Sequence, residues 1–276
     1  MSWQSKMEDK SQIVILIVAG FDPSAGAGIL ADIKTTSAFG CYGVAAVTSL
    51  TLQNTQGVFG AYHQTKEVVR QQIEPLFDDF SIAAVKTGML PSVEVIRDVA
   101  DVIRAKKIAH VVVDPVVRST SGFDLIDDKA LDELITRLIP LASVVTPNAV
   151  EAERITGIHI TDLATMEKAA AAILALGPRA VLIKGGDLKS DEATDLLLDA
   201  SGSVTFSTKR ILSTNTHGTG CTLASALACL LAQGRTLRDS VSLAKQYIYE
   251  AILGAPGLGR GHGPLNHFPK GSALKG

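Results

Sequence analysis

The segment Asn215-Thr216-His217-Gly218-Thr219-Gly220-Cys221 runs straight into Thr222-Leu223-Ala224-Ser225-Ala226-Leu227-Ala228-Cys229-Leu230-Leu231-Ala232, an alanine- and leucine-rich helical sequence. Two glycines with one small residue between them, set at a helix start, leave bare backbone amides aimed at one spot. The first amides of a helix have no internal partners, and the macrodipole adds partial positive charge there. Such a place suits a phosphate, or the charge that develops as a phosphoryl group is transferred. Cys221 lies beside these amides, where a thiol is expected to be more acidic than usual. Taken alone, the segment also fits a helix that merely begins with glycines.

Other residues of the right type stand elsewhere. Lys184, between an apolar strand and Gly185-Gly186, offers a compact positive charge to a phosphate, though a solvated surface lysine fits the same pattern. Thr146-Pro147-Asn148-Ala149-Val150-Glu151 puts Asn148 and Glu151 three apart on the first turn of a helix. They suit either a hydrated magnesium ion, which takes few protein ligands, or a capping box. Asp114, at the end of His110–Val113, is a second candidate carboxylate. His217, His262 and His267 show no metal-ligand spacing with the cysteines.

Two nucleotide signatures can be weighed directly. Gly26-Ala27-Gly28-Ile29-Leu30-Ala31 matches GxGxxA after a strand, but a dinucleotide fold needs an acidic residue about 20 positions later for the ribose. No Asp or Glu occurs from Ile33 to Lys66, which removes that anchor and argues against an NAD-linked oxidoreductase. GxxxxGK[ST] is absent as well. A kinase built on this chain must hold its phosphates without a P-loop.

The elements that position these residues alternate. Ile13–Ala19, Val44–Leu52, Ala83–Lys86, His110–Val113, Ser143–Val145 and Ala180–Lys184 read as strands, several apolar on both faces. Ile29–Phe39, Glu67–Phe77, Val93–Lys106, Lys129–Leu138, Ala149–Thr156 and Met166–Leu176 read as helices. The alternation predicts an α/β fold with a mostly parallel, doubly wound central sheet and helices on both faces. After Lys184 the pattern becomes a hairpin, Ala193–Asp199 and Ser203–Ser207 about an Ala200-Ser201-Gly202 turn, then two helices, Cys221–Ala232 and Leu237–Leu253. Gly257-Leu258-Gly259-Arg260-Gly261-His262-Gly263-Pro264 must be irregular. Ligands of such sheets bind beyond the C-terminal strand ends. Gly20-Phe21-Asp22, Lys86-Thr87-Gly88, Asp114-Pro115 and Lys184-Gly185-Gly186 all fall there.

Composition narrows the function classes. Of 276 residues, 46% are apolar, enough for a buried core, and the formal net charge is -2 with 5% aromatics. With no basic stripe and few stacking rings, nucleic acid is not an expected partner. Cys41, Cys221 and Cys229 form no CxxC pair, as in a reduced cytoplasmic protein. No apolar run approaches the ~20 residues a bilayer needs, so no membrane association is expected. Residues 1–12 read as a flexible polar tail and 13–276 as a single domain.

Together these stretches resemble the ribokinase superfamily, and most closely its hydroxymethylpyrimidine/phosphomethylpyrimidine kinases of thiamine biosynthesis. The match runs from Ala19 to Phe268. It includes Ala19-Gly20-Phe21-Asp22-Pro23-Ser24-Ala25-Gly26-Ala27-Gly28-Ile29, Gln53-Asn54-Thr55-Gln56-Gly57-Val58, Lys86-Thr87-Gly88-Met89-Leu90, Val113-Asp114-Pro115-Val116, Thr146-Pro147-Asn148, Ile183-Lys184-Gly185-Gly186 and the Asn215–Thr222 and Gly257–Pro264 segments. The resemblance implies a three-layer ribokinase-like fold and transfer of the ATP γ-phosphoryl group to 4-amino-5-hydroxymethyl-2-methylpyrimidine, then to its monophosphate.

By matching position, the resemblance gives Gln53 the aminopyrimidine edge. It makes Gly20, Ala27, Asp32, Met89 and Val116 shape that pocket. Gly218, Thr219, Gly220 and Cys221 become the anion hole and Lys184 a phosphate contact, with Asp114, Asn148 and Glu151 supporting Mg-ATP. Asp114 and Glu151 would hold Mg2+ through water. Cys221 stands where sugar kinases of the superfamily carry an aspartate base. It either accepts the hydroxyl proton or leaves room for an acceptor that is itself a phosphate. Phe21 and Val117-Arg118-Ser119-Thr120 depart from the commoner family residues, and Arg118 fits a phosphate contact or a surface position. A homodimer is expected from such relatives. A pyridoxal/pyridoxine kinase, or a bifunctional pyrimidine/pyridoxal kinase, is the nearest alternative activity, with Gln53-Asn54-Thr55-Gln56-Gly57 arguing for the pyrimidine. A non-enzymatic pyrimidine sensor would bind without releasing ADP.

Overall fold

A computed structural model describes residues 12–117, 125–186, 188 and 191–269. Residues 1–11 of the expected tail, and Arg118 with its neighbours to Thr120, lie outside the described residues.

The chain winds through β1 (Val14–Phe21), α1 (Gly28–Ala38), β2 (Tyr42–Asn54), β3 (Gly57–His63), α2 (Lys66–Asp79), β4 (Ile82–Thr87), α3 (Val93–Lys106) and β5 (His110–Val113). It continues through α4 (Asp128–Glu133), β6 (Val144–Val145), α5 (Ala149–Thr156), α6 (Leu163–Leu174), β7 (Ala180–Ile183), β8 (Glu192–Asp199), β9 (Gly202–Lys209), α7 (Thr219–Ala232) and α8 (Leu237–Leu253). The described strands form one sheet in the order β3-β2-β1-β4-β5-β6-β7-β8-β9. From β2 to β7 neighbouring strands run parallel, whereas β3, β8 and β9 pair antiparallel at the two edges.

Strands apolar on both faces bury both. Leu16, Val18, Val113 and Ile183 face a core shared with Ile73 of α2, Ile96 of α3 and Met166 of α6. Ile15, Ala84, Val112 and Leu182 face the other side, against Leu227 of α7 and Val241 of α8. The result is the expected three-layer, mostly parallel α/β arrangement. It places the C-terminal ends of β1, β2, β4, β5 and β7 along one rim.

Three local differences have physical causes. Strand β3 was not expected, because its two glycines give little β propensity. It forms because Thr55-Gln56 turns the chain back on β2, whose ladder shifts register between Leu52 and Gln53. The helix expected over Lys129–Leu138 is α-helical only to Glu133. It widens into a π turn over Leu134–Leu138 and then tightens at Ile139–Leu141, where Pro140 has no N–H to continue it. Gly202, expected in the hairpin turn, instead opens β9 opposite Asp199, with a φ of 110°.

Candidate active site

One cavity of about 800 Å³ opens along the strand-end rim. Its size is that of an ordinary small-molecule site. Gly20, Ala27, Gln53, Met89 and Val116 line it, and so do Asp114, Asn148, Glu151, Lys184 and Gly218 to Cys221. Thus thirteen of the fourteen sequence-predicted site residues meet in one space; Asp32 is the exception.

The cradle is made by close approach. Gly218 is the N-cap of α7 with a φ of 83°, and a Cβ there would stand 1.9 Å from the carbonyl oxygen of Gly26. No other residue fits such a contact in that backbone state. Gly28, with a φ of 55°, is constrained in the same way against the Gly20 carbonyl at 2.3 Å. The amides opening α7 therefore face the cavity between the loop after β1 and the ends of β5 and β7. A Cβ on Gly220 would lie 3.1 Å from Lys184 Nζ and 3.5 Å from Asp114 Oδ2, so this turn borders the ion pair directly.

Lys184 Nζ donates to Asp114 Oδ1 at 3.0 Å and stands 3.8 Å from Glu151 Oε2. Burial opposes the ammonium charge, but Asp114 and Glu151 outweigh it and hold its proton above the usual lysine range. Thr146 Oγ1 donates to the same Asp114 oxygen at 3.2 Å. Asn148 and Glu151 form the capping box: Glu151 N–H donates to Asn148 Oδ1 and Asn148 N–H to Glu151 Oε2, each at 2.8 Å. The cap and the cavity lining are thus the same residues, and the two sequence readings do not compete.

Among the described residues no group of three or more His, Cys, Asp or Glu is arranged to hold a metal ion. The donor set of Asp114 and Glu151, bridged by an ammonium, does not make an all-protein cage. It fits a hydrated magnesium ion whose remaining ligands are water and phosphate oxygens.

Two expectations are corrected. Asp32 does not shape the pocket. It is fully buried in α1 behind the cradle, where Lys86 Nζ donates to both its oxygens at 2.9 and 2.8 Å and Ser225 Oγ donates at 2.8 Å. Nor is the Cys221 thiol acidic. Burial pushes it up to about 11, outweighing the nearby Lys86 ammonium and the Gly28 amide that faces the sulfur. The thiol is half-buried on the cavity wall, and the ionic hydration it loses outweighs what the helix terminus returns.

Two pairings escaped sequence reasoning. Lys86 stood among the strand-end motifs, but its bond to Asp32 was not foreseen. His217 showed only the lack of metal-ligand spacing with the cysteines, yet its Nε2 lies 2.8 Å from Asp22 Oδ2. Asp22 also accepts from the amides of Ser24, Gly26 and Ala27 and from the Ser24 hydroxyl. Burial raises the Asp22 carboxyl, but the His217 and Ser24 bonds outweigh it and hold it below the usual range. A carboxylate only accepts, so Nε2 of His217 is the donor in this bond. The signal available in the sequence was position: Asp22 ends a strand, and His217 directly precedes Gly218.

Comparison with known proteins supplies the family. Residues 22–266 match the family model of phosphomethylpyrimidine kinase. The chain is 46% identical over 254 residues to a hydroxymethylpyrimidine/phosphomethylpyrimidine kinase of Streptomyces coelicolor, covering 92% of this chain and 94% of that one. It is 48% identical over 254 residues to the thiamine biosynthesis bifunctional protein ThiED of Geobacter sulfurreducens, covering 92% of this chain but spanning only 52% of that protein's length. Among solved structures, pyridoxal kinase from Staphylococcus aureus in complex with AMP-PCP and pyridoxal superposes with a TM-score of 0.87 at 30% identity, over 95% of this chain and 96% of that one. The chain belongs to the phosphomethylpyrimidine kinase family.

Proposed function

We infer that the protein transfers the γ-phosphoryl group of ATP to 4-amino-5-hydroxymethyl-2-methylpyrimidine, and then phosphorylates that monophosphate to the diphosphate, in thiamine biosynthesis. The observation that carries this reading is that one cavity joins a polar amide, an apolar slot and an anion cradle. Gln53 offers a donor and an acceptor to a ring nitrogen beside an exocyclic amine. Gly20, Ala27, Met89 and Val116 form the slot for a flat ring. The acceptor hydroxyl then points toward Gly218–Cys221.

ATP lies with its phosphates against Lys184 and the α7 amides, and Asn148 helps to hold the nucleotide. Asp114 and Glu151 would hold magnesium through water; bound there, the ion neutralises charge on the transferring phosphates. Lys184 supplies a fixed positive charge where negative charge develops.

A homodimer is supported by Leu50, Leu52 and Tyr62, which are large, apolar and exposed on β2 and β3. Tyr62 sits directly opposite Leu50 in the ladder. Sedimentation of the protein gives the expected dimer mass or removes it. Cytoplasmic residence is supported by three free cysteines, Cys41, Cys221 and Cys229. No helix among the described residues is long and apolar enough to cross a membrane.

The superposition on a pyridoxal-bound kinase favours one second reading, phosphorylation of pyridoxal. Mass analysis of products from ATP with each acceptor tests both. Pyrimidine mono- and diphosphate are expected, with kcat/KM far above that for pyridoxal. Comparable values for the two acceptors overturn the preference, and binding without ADP release overturns catalysis.

A further inference from the structure

The glycine-rich segment 257–264 forms no part of the cavity wall, yet it touches both ends of the site. Thr55 sits in the β2–β3 turn, two residues beyond Gln53. Its Oγ1 accepts from the amides of Arg260 and Gly261 at 3.1 and 3.3 Å, and its carbonyl accepts from His262 N–H at 2.7 Å. Further along, Gly263 N–H donates to the Thr214 carbonyl and His217 N–H to the Gly263 carbonyl, each at 3.1 Å. His217 then binds Asp22, whose carboxylate gathers the loop that touches Gly218.

The alternating glycines have a steric reason. A Cβ on Gly259 would lie 2.3 Å from Thr55 Oγ1, one on Gly261 2.1 Å from the Thr55 carbonyl oxygen, and one on Gly263 2.0 Å from Asn215 Oδ1. From Gly259 onward every second residue therefore faces inward with no room for a side chain, whereas a Cβ on Gly257 would meet nothing within 4 Å. Leu258, Arg260 and His262 occupy the alternate positions.

We propose that Gly257–Pro264 is a main-chain strap that fixes the separation between the acceptor end of the cavity at Gln53 and the cradle at Gly218–Cys221, with Thr55 and His217 as its positioning residues. The proposal rests on the kinase reading above. Phosphoryl transfer depends on placing acceptor oxygen and phosphorus within a narrow range, and an error of about 1 Å costs roughly 100-fold in rate. Gln53 and the cradle belong to β2 and α7, elements far apart in sequence. The strap links them by hydrogen bonds that do not pass through the substrate.

Steady-state kinetics on three variants, with ADP and phosphorylated pyrimidine measured separately, test this. Thr55→Val removes the acceptor hydroxyl but keeps the shape; Thr55→Ser keeps the hydroxyl; Gly261→Ala pushes the strap off the Thr55 carbonyl. Thr55→Val and Gly261→Ala are expected to lower kcat roughly 10- to 100-fold, with the KM for ATP little changed. The ratio of ADP to phosphorylated pyrimidine should rise, because a misplaced acceptor lets water take the phosphoryl group. Thr55→Ser should stay near wild type. A kcat near wild type in both damaging variants overturns the strap, as does Thr55→Ser falling as far as Thr55→Val. Wild-type enzyme that forms no phosphorylated pyrimidine overturns the proposed function, and this inference with it.

Discussion

Two lysine–aspartate pairs flank the start of α7, and they differ in what surrounds them. Lys86–Asp32 is sealed, with both side chains 0% exposed, and Ser225 one turn beyond Cys221 ties it to the helix. Lys184–Asp114 stands on the cavity wall, its lysine side chain 15% exposed. Burial opposes charge on Lys86, yet Asp32, with Asp114 nearby, holds its proton above the usual lysine range. The same pair of residue types thus serves two ends. The sealed pair is a mutually neutralising contact locked beneath the cradle. The open pair can exchange part of its bonding for phosphate.

The sharpest way to break this contrast is to remove each lysine. Lys86→Met strands Asp32 in the core without a counter-charge and should cost about 3–5 kcal/mol of stability by urea denaturation. The double variant Asp32→Leu/Lys86→Met should recover most of that loss, since a well-packed apolar pair replaces a buried ionic one at little cost. If Lys86→Met unfolds no more readily than Lys184→Met, sealed and open pairs are energetically alike and the distinction fails.

Lys184→Met should show the opposite balance. Lys184 stands on the cavity wall, and Asp114 keeps its bond from Thr146 Oγ1 when the lysine is gone, so the loss of stability is smaller. The fall in kcat should be roughly 10²- to 10³-fold, the usual effect of deleting one group that stabilises transition-state charge. A kcat close to wild type would reduce Lys184 to a structural counter-ion.

The two pairs also mark how far the sequence could be read. Lys184 was visible because Gly185-Gly186 follow it at a strand end, and Gly218–Cys221 because glycines opening a helix are a local pattern. Lys86 ends a strand in the same way, but nothing near it announces Asp32, 54 positions away. Asp22 and His217 are 195 positions apart. Pairing at such separations comes from the winding of the sheet, which side-chain types alone do not encode. Asp32 was misplaced for a related reason. Family position put it near the pocket, but only the packing of α1 against β1 and α7, with the Lys86 and Ser225 bonds, shows that its side chain lies behind the wall. The parallel core was legible because strands buried on both faces are continuously apolar. Edge strand β3, held by a turn and a single neighbour, carries no such signal.

Cys221 lies between the pairs, and its behaviour sharpens the comparison at a lower energy. With its thiol pushed up to about 11, the sulfur is protonated near neutral pH. A thiolate base would require kcat to climb with pH toward that value. We expect instead a profile without such a climb between about pH 7 and 9, where the free thiol of an ordinary cysteine would already titrate. Cys221→Ser should lose far less than the roughly 10²- to 10⁴-fold that removal of a general base costs. The linked stability runs the other way. Because the folded state holds the proton more tightly than the ordinary value of 9.0, this contribution is complete below about pH 9 and is lost as pH rises toward 11. A steep rise of kcat with pH that vanishes in Cys221→Ser would restore the base.

The smallest effect lies at the acceptor end, where no charge is paired. Gln53 is half-buried on β2 beside the register shift and faces the cavity with Met89 and Val116. Gln53→Ala should weaken the pyrimidine by about 1–3 kcal/mol, the cost of one buried polar contact, and leave the KM for ATP unchanged. The loss should appear for both the hydroxymethyl acceptor and its monophosphate, because they share the ring that the amide reads. It should be far smaller for pyridoxal, which lacks the aminopyrimidine edge. Equal losses for pyrimidine and pyridoxal would mean that Gln53 shapes the cavity without reading the ring. The discrimination would then belong to the apolar slot.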